Sequence, residues 1–190
     1  MRKLLVLVLV LFFLTGCAGE PAPAEESVKY PTFEYTHYSS GGNAETYEAV
    51  ILFEQSVSTF TSSQVAFVSC TCRDSLVNYY SVCYVELLNN KPTAEESAIR
   101  AITFGNNQGL WGDSNPNYYR HEYTQEYMDE NFVQKLVRVT KGEFDAWQGY
   151  GTWLDAVDAD AVTGATVSTG NITSMLQSLF AYHADKYYND

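Results

Sequence analysis

The 190 residues are enough for one compact domain with a tail, and 46% hydrophobic with 15% aromatic residues is ample material for a core, which excludes a chain disordered throughout. Eleven Lys and Arg against 23 Asp and Glu give a net charge of −12. Binding to nucleic acid relies on clustered positive charge, so nucleic acid is not an expected partner.

Met1-Arg2-Lys3 is a short positive start, residues 4–14 form an unbroken apolar run, and Leu14-Thr15-Gly16-Cys17 follows. This is the layout of an export signal, and the run is shorter than the roughly 20 apolar residues a membrane-spanning helix needs. Leu-Thr-Gly-Cys resembles the bacterial lipobox, which implies a signal peptide over 1–16, diacylation of Cys17 and a location at the cell membrane on its extracytoplasmic face; an ordinary signal cleaved at a small residue is the alternative. Two acyl chains anchor stably where one would be marginal. Removing Arg2 and Lys3 leaves nine basic residues against 23 acidic ones, a net charge of −14. Residues 17–29, rich in Pro, Ala and Glu, read as a lipid-anchored tether, and 30–190 as the folded domain.

Along that domain, Ser39-Ser40-Gly41-Gly42 reads as a loop, and β-branched and aromatic runs over 47–57, 64–72 and 79–88 predict three strands. Thr93 and Glu96 have capping-box spacing, and Ile99 and Ile102 give the short helix expected there an apolar side. The Gly- and Asn-rich stretch 103–117 reads as a loop. Met128, Phe132, Val133, Leu136 and Val137 recur at helical spacing, with Gly142 as the expected stop. Ile172, Met175, Leu176, Leu179, Phe180 and His183 mark the inner face of an amphipathic C-terminal helix starting near Ser168 or Thr169. The fold class expected is α+β, a largely antiparallel sheet with flanking helices.

Thr166 then stands just before a helix N-terminus, where free N–H groups and a partial positive charge favour a phosphate, and Gly164 and Ala165 let the backbone approach a bulky ligand closely. On the residues alone the commoner use of such a place is preferred, Ser168 or Thr169 simply capping the helix after a Gly-containing turn. The heptapeptide Asp160-Ala161-Val162-Thr163-Gly164-Ala165-Thr166 resembles the Asp-x-x-Ser/Thr-Gly-Ala-Thr signature of the FMN-binding domain family. That family includes the C subunit of the sodium-pumping NADH:quinone oxidoreductase, the G subunit of Rnf complexes and flavolipoproteins of extracellular electron transfer. The resemblance implies FMN attached through its phosphate to Thr166 by a flavin transferase using FAD and Mg2+, with Asp160, Thr163, Gly164 and Ala165 as the recognition signature. It further implies a membrane quinol or dehydrogenase as electron donor. The acceptor it implies is a partner reductase or an extracellular oxidant. Gly109-Leu110-Trp111 is similar to a segment near the flavin in the quinone-oxidoreductase subunit, so Trp111 either stacks near the ring or anchors its loop. The Glu-Thr-Pro-Gly segment usual in Rnf-type members is absent.

With Cys17 lipidated, Cys70, Cys72 and Cys83 are an odd set in an oxidising compartment. One disulfide plus a free thiol is expected, Cys83 facing Cys70 or Cys72 across a hairpin according to register. A redox-active thiol set is the sharper alternative, and three thiolates fall short of a usual iron–sulfur set. Asp155, Asp158 and Asp160 lack EF-hand spacing and read as a solvated acidic loop, while His37, His121 and His183 have no metal-ligand spacing and read as surface or core-edge residues. No Gly-x-Ser-x-Gly elbow marks a hydrolase. The expectation is an electron carrier. A flavin-dependent reductase with its own substrate is the nearest rival, and a flavin-free solute-binding lipoprotein, suggested by 15 tyrosines, is the non-redox one.

Overall fold

A computed structural model describes residues 29–69, 80–105 and 124–188. Cys17, Cys70, Cys72, Trp111 and His121, with the signal and most of the tether, lie outside the described residues. Five antiparallel strands follow one another across one sheet: β1 (Thr32–Tyr38), β2 (Ala44–Ser56), β3 (Phe60–Val68), β4 (Tyr80–Leu88) and β5 (Ile99–Phe104). Helices complete the expected α+β architecture. They are α1 (Gln125–Met128), α2 (Lys141–Ala146), α3 (Ala159–Val162) and the long α4 (Thr166–Tyr188).

The three strands read from β-branched runs are present, and the Ser39–Gly42 cluster turns β1 into β2 with Gly42 at φ 75°. β2 serves two partners in succession. Residues 44–50 pair with β1, and 50–56 pair with β3 through a bulge between Ile51 and Phe53. Beyond Ala66, β3 therefore lacks a β2 partner, and Tyr35 reaches from the far side of β2 to fill the place. Its hydroxyl donates to Val68 O at 2.7 Å and accepts from Val68 N at 3.0 Å.

The short helix expected after Thr93 is a correction. Only a 3-10 turn forms (Ala94–Glu96), Thr93 caps nothing with its side chain, and Ile99–Phe104 is β5, which also takes Thr103 and Phe104 out of the expected loop. The register explains the error. Leu87 pairs with Ile99 but Glu86 pairs with Ala101, so Arg100 is the extra residue of a bulge. That bulge flips the two-residue alternation, and Ile99 and Ile102 both face the core at a spacing of three, mimicking a helix.

Residues 125–136 are helical as their spacing predicts, but as a turn of α1, a π turn (Asp129–Val133) and a 3-10 turn (Gln134–Leu136). Gly142 does not stop this helix. Val137 is already extended, Arg138 sits at φ 76°, and its N–H donates to Ile99 O at 2.8 Å, laying 138–139 along β5. Gly142 instead lies inside α2, which opens on a capping box: Thr140 Oγ1 accepts from Glu143 N at 3.3 Å and Glu143 Oε2 accepts from Thr140 N at 2.8 Å. Thr140→Ala is expected to cost about 1 kcal/mol, read as a lowered urea midpoint with an unchanged slope.

α4 lies against β1 and buries the expected face, with Phe180 5.1 Å from Phe144 of α2. It is amphipathic only in its second half. Ser168 to Leu176 are buried on every side, and the two threonines among them return their hydroxyls to the helix: Thr169 Oγ1 to Ala165 O, Thr173 Oγ1 to Thr169 O.

Candidate functional site

The signature segment is built from three helical pieces laid end to end. Asp158 opens α3, its Oδ1 accepting from Asp160 N at 3.1 Å. Val162, at φ −123° and ψ 3°, leaves helical geometry, a 3-10 turn (Thr163–Ala165) follows, and Thr166 is the first residue of α4. This corrects the expected helix start near Ser168 or Thr169. Thr169 is an interior residue of the helix, and the cap of the whole segment is Asp158. Because the helical run continues from α3, the turn ahead of Thr166 takes up donors that a free helix end would offer, and carboxylates already stand at the positive end of α3. Thr166 therefore does not stand at a bare helix terminus, and the site rests on its side chains.

Those side chains divide by face. Val162 and Ala165 point into the core, at 0% and 8% exposure, whereas Asp160, Thr163 and Gly164 are exposed and Thr166 is half-buried. Asp160, Thr163 and Thr166, three residues apart, make an outward ridge. Thr163 Oγ1 donates to Ala159 O at 2.6 Å, and Thr166 Oγ1 donates to Thr163 O at 2.5 Å. From the other side Tyr127 of α1 donates its hydroxyl to Ala161 O at 3.0 Å, tying the segment down. All five signature residues are thus brought together on one short stretch, with the Thr166 hydroxyl accessible and no large side chain in Thr163, Gly164 or Ala165 to cover it. A phosphoester on that oxygen fits these residues.

One helical turn on, Asn171 accepts from Tyr38 N at 2.6 Å and donates to Tyr38 O at 3.0 Å and Ser69 O at 2.8 Å. Tyr38 in turn packs against Trp147 at 6.2 Å and Tyr150 at 5.5 Å between ring centroids. Residue spacing along the chain does not point to these neighbours. The available signal was Gly170, a glycine inside a helix, which calls for a packing reason.

Cys83 is a correction. The register sets it opposite Val65, it is a free thiol at 0% exposure, and burial pushes its pKa up. A buried neutral thiol facing Val65 is neither half of a cross-strand disulfide at that position nor a reactive group. His37 and His183 are not surface or core-edge residues: both are 2% exposed, and burial lowers each to about 4, opposed at His183 by the Glu54 carboxylate. Among the described residues, no group of three or more His, Cys, Asp and Glu is placed to hold a metal ion, and no helix is long and apolar enough to cross a membrane. Set against known protein families, curated proteins and solved structures, the chain matches none.

Proposed function

We propose that this chain is a lipid-anchored, extracytoplasmic flavoprotein that carries FMN as a phosphoester on Thr166 and passes electrons from a membrane quinol or dehydrogenase to a partner or extracellular acceptor. The observation that carries the reading is the heptapeptide ending in Thr166, with its terminal hydroxyl half-exposed on an outward ridge shared with Asp160 and Thr163. Lipidation at Cys17 and the tether over 17–29 would hold the domain at the membrane surface.

Attachment forms one bond from Thr166 Oγ1 to the FMN phosphorus of FAD and breaks the pyrophosphate bond, so AMP leaves and the hydroxyl proton must be given up. The hydroxyl proton is hydrogen-bonded to the Thr163 carbonyl, which is too weak a base to take it, so the base belongs to the transferase, whose Mg2+ offsets charge on the pyrophosphate. Releasing this hydrogen bond costs on the order of 1 kcal/mol, a small fraction of an enzymatic barrier. When bound, FMN supplies one- or two-electron transfer, and the protein's part is to hold and orient it. Thr166 heads a helix buried on all sides from Ser168 to Leu176, so the backbone of the attachment point is held in place.

Intact mass after co-production with an active flavin transferase tests the proposal. The expected mass carries one FMN, fluoresces in a denaturing gel, and loses both properties in Thr166→Ala, which forfeits only the bond to Thr163 O and stays folded. An unmodified wild-type mass, with the transferase active on another substrate, overturns the reading and favours a flavin-free solute-binding lipoprotein.

A further inference from the structure

Tyr30, Leu52 and Phe53 are large apolar side chains left 47%, 39% and 49% exposed. Distant in the sequence, they are neighbours in the sheet. Ile51 N donates to Pro31 O at 2.9 Å, which carries the β1–β2 ladder one pair beyond Thr32 and Val50 and sets Tyr30 beside Leu52. The bulge in β2 then enlarges the patch. Ile51 pairs with Val65 and Phe53 with Gln64, so Leu52 is the extra residue and two consecutive side chains share the place opposite exposed Gln64. Ile51 and Val65 face the core, whereas Leu52 and Phe53 both stay on the face away from it. A regular strand would have turned one of the two inward.

Charge is kept off this patch. Glu54, next in the sequence, is held on the helix side by Lys186 and Tyr187 of α4, and Gln55 and Gln64 are neutral. Lys29 precedes Tyr30, and the exposed carboxylates of Glu34 and Glu48 stand opposite each other further along β1 and β2. Resting on the lipid anchor proposed at Cys17, we infer that Tyr30, Leu52 and Phe53 form the face that seats on the bilayer surface. The 13 residues 17–29 reach at most about 45 Å when fully extended, and they join the fold at Tyr30, inside the patch itself. Anchored so closely, the domain meets the membrane at high effective concentration, and a contact too weak to hold a free protein is enough to orient a tethered one. Two aromatic rings beside a leucine suit the zone between headgroups and acyl chains. Glu34, Glu48 and the net negative charge weigh against attraction to anionic lipid, so the surface this face fits is zwitterionic and is held by apolar burial.

The test uses the full lipidated chain in phosphatidylcholine vesicles with brominated or unbrominated acyl chains. It reads tryptophan emission in wild type, Phe53→Trp, Leu52→Trp and Glu95→Trp. Glu95 is exposed on the 3-10 turn ahead of β5, the strand at the opposite edge of the sheet from β1. Bromine quenches only an indole that reaches the acyl chains. Brominated lipid is expected to remove much of the emission added in Phe53→Trp and in Leu52→Trp, at low and high salt alike, and to leave wild type and Glu95→Trp unchanged. Leu52→Trp carries the test where Phe53→Trp does not fold. Intact mass of the same samples reads the anchor separately. A chain without acyl groups on Cys17 overturns the lipidation on which the inference rests, whereas an acylated chain with neither added indole quenched overturns the inference alone. Equal quenching in Glu95→Trp overturns it too, because the domain then has no preferred face, and unquenched emission from a cross-linked dimer gives the patch to a second copy instead.

Discussion

Asn171→Leu is expected to destabilise the protein by about 3–5 kcal/mol. Asn171 is 0% exposed, and its amide is used on both sides: the oxygen accepts from Tyr38 N, and the nitrogen donates to Tyr38 O and Ser69 O. It behaves as a peptide unit of a missing strand. β2 pairs with β3 only from Val50 onward, and the gap between the end of β1 and the end of β3 is bridged by Tyr35 and by this amide. Leucine fills nearly the same volume, so the loss is polar: the amide's bonds to Tyr38 N and O, which are part-buried, and to Ser69 O, which is buried, are all given up, at about 1–3 kcal/mol for the most buried of them. Urea unfolding checks it: a fall in midpoint with an unchanged slope is expected, and a loss under about 1 kcal/mol would mean that water replaces the amide.

The same residue shows where sequence reading stops. The partners of Asn171 in β1 are 133 positions away, and no local pattern in Gly170-Asn171-Ile172 announces them. Legible features were those with a period: the strands over 47–57, 64–72 and 79–88, the helical spacing from Met128, and the inner face of α4. β5 was misread because a bulge at Arg100 turns a strand's period of two into a spacing of three. The start of α4 was misplaced because a 3-10 turn carries no propensity signal distinct from a loop, and the continuation through Thr163–Ala165 depends on Val162 and Ala165 finding the core. Cys83 needed the strand register, which pairing alone supplies. As for the candidate site, the residues were readable as a motif. Their outward ridge and the aromatic residues beside Gly170 depend on tertiary packing.

Between about pH 6.5 and pH 4 the protein is expected to lose stability steeply, through two histidines. Unfolded imidazoles take up protons around 6.5, whereas burial holds those of His37 and His183 off until about 4. In that window the unfolded state binds more protons, so stability is whole above 6.5 and is lost as pH falls toward 4. Keeping one imidazole neutral across that whole window is worth up to about 3 kcal/mol, and each histidine contributes on that scale. Glu54 acts in a lower range: burial raises its carboxyl, but hydrogen bonds from Lys186 and Tyr187 outweigh burial and hold it below its ordinary value of 4.5, so its share is lost further into acid. His183 isolates the effect. Neither of its ring nitrogens has a hydrogen-bond partner, and it packs against Tyr187 at 4.9 Å, so His183→Leu removes a titrating group without breaking a bond. Urea midpoints measured from pH 7 to pH 4.5 are expected to fall less in His183→Leu than in wild type, with the variant the more stable protein at pH 5. Parallel curves would place the acid sensitivity elsewhere, and a variant weaker at every pH would mean that the imidazole contributes through packing and not through its charge.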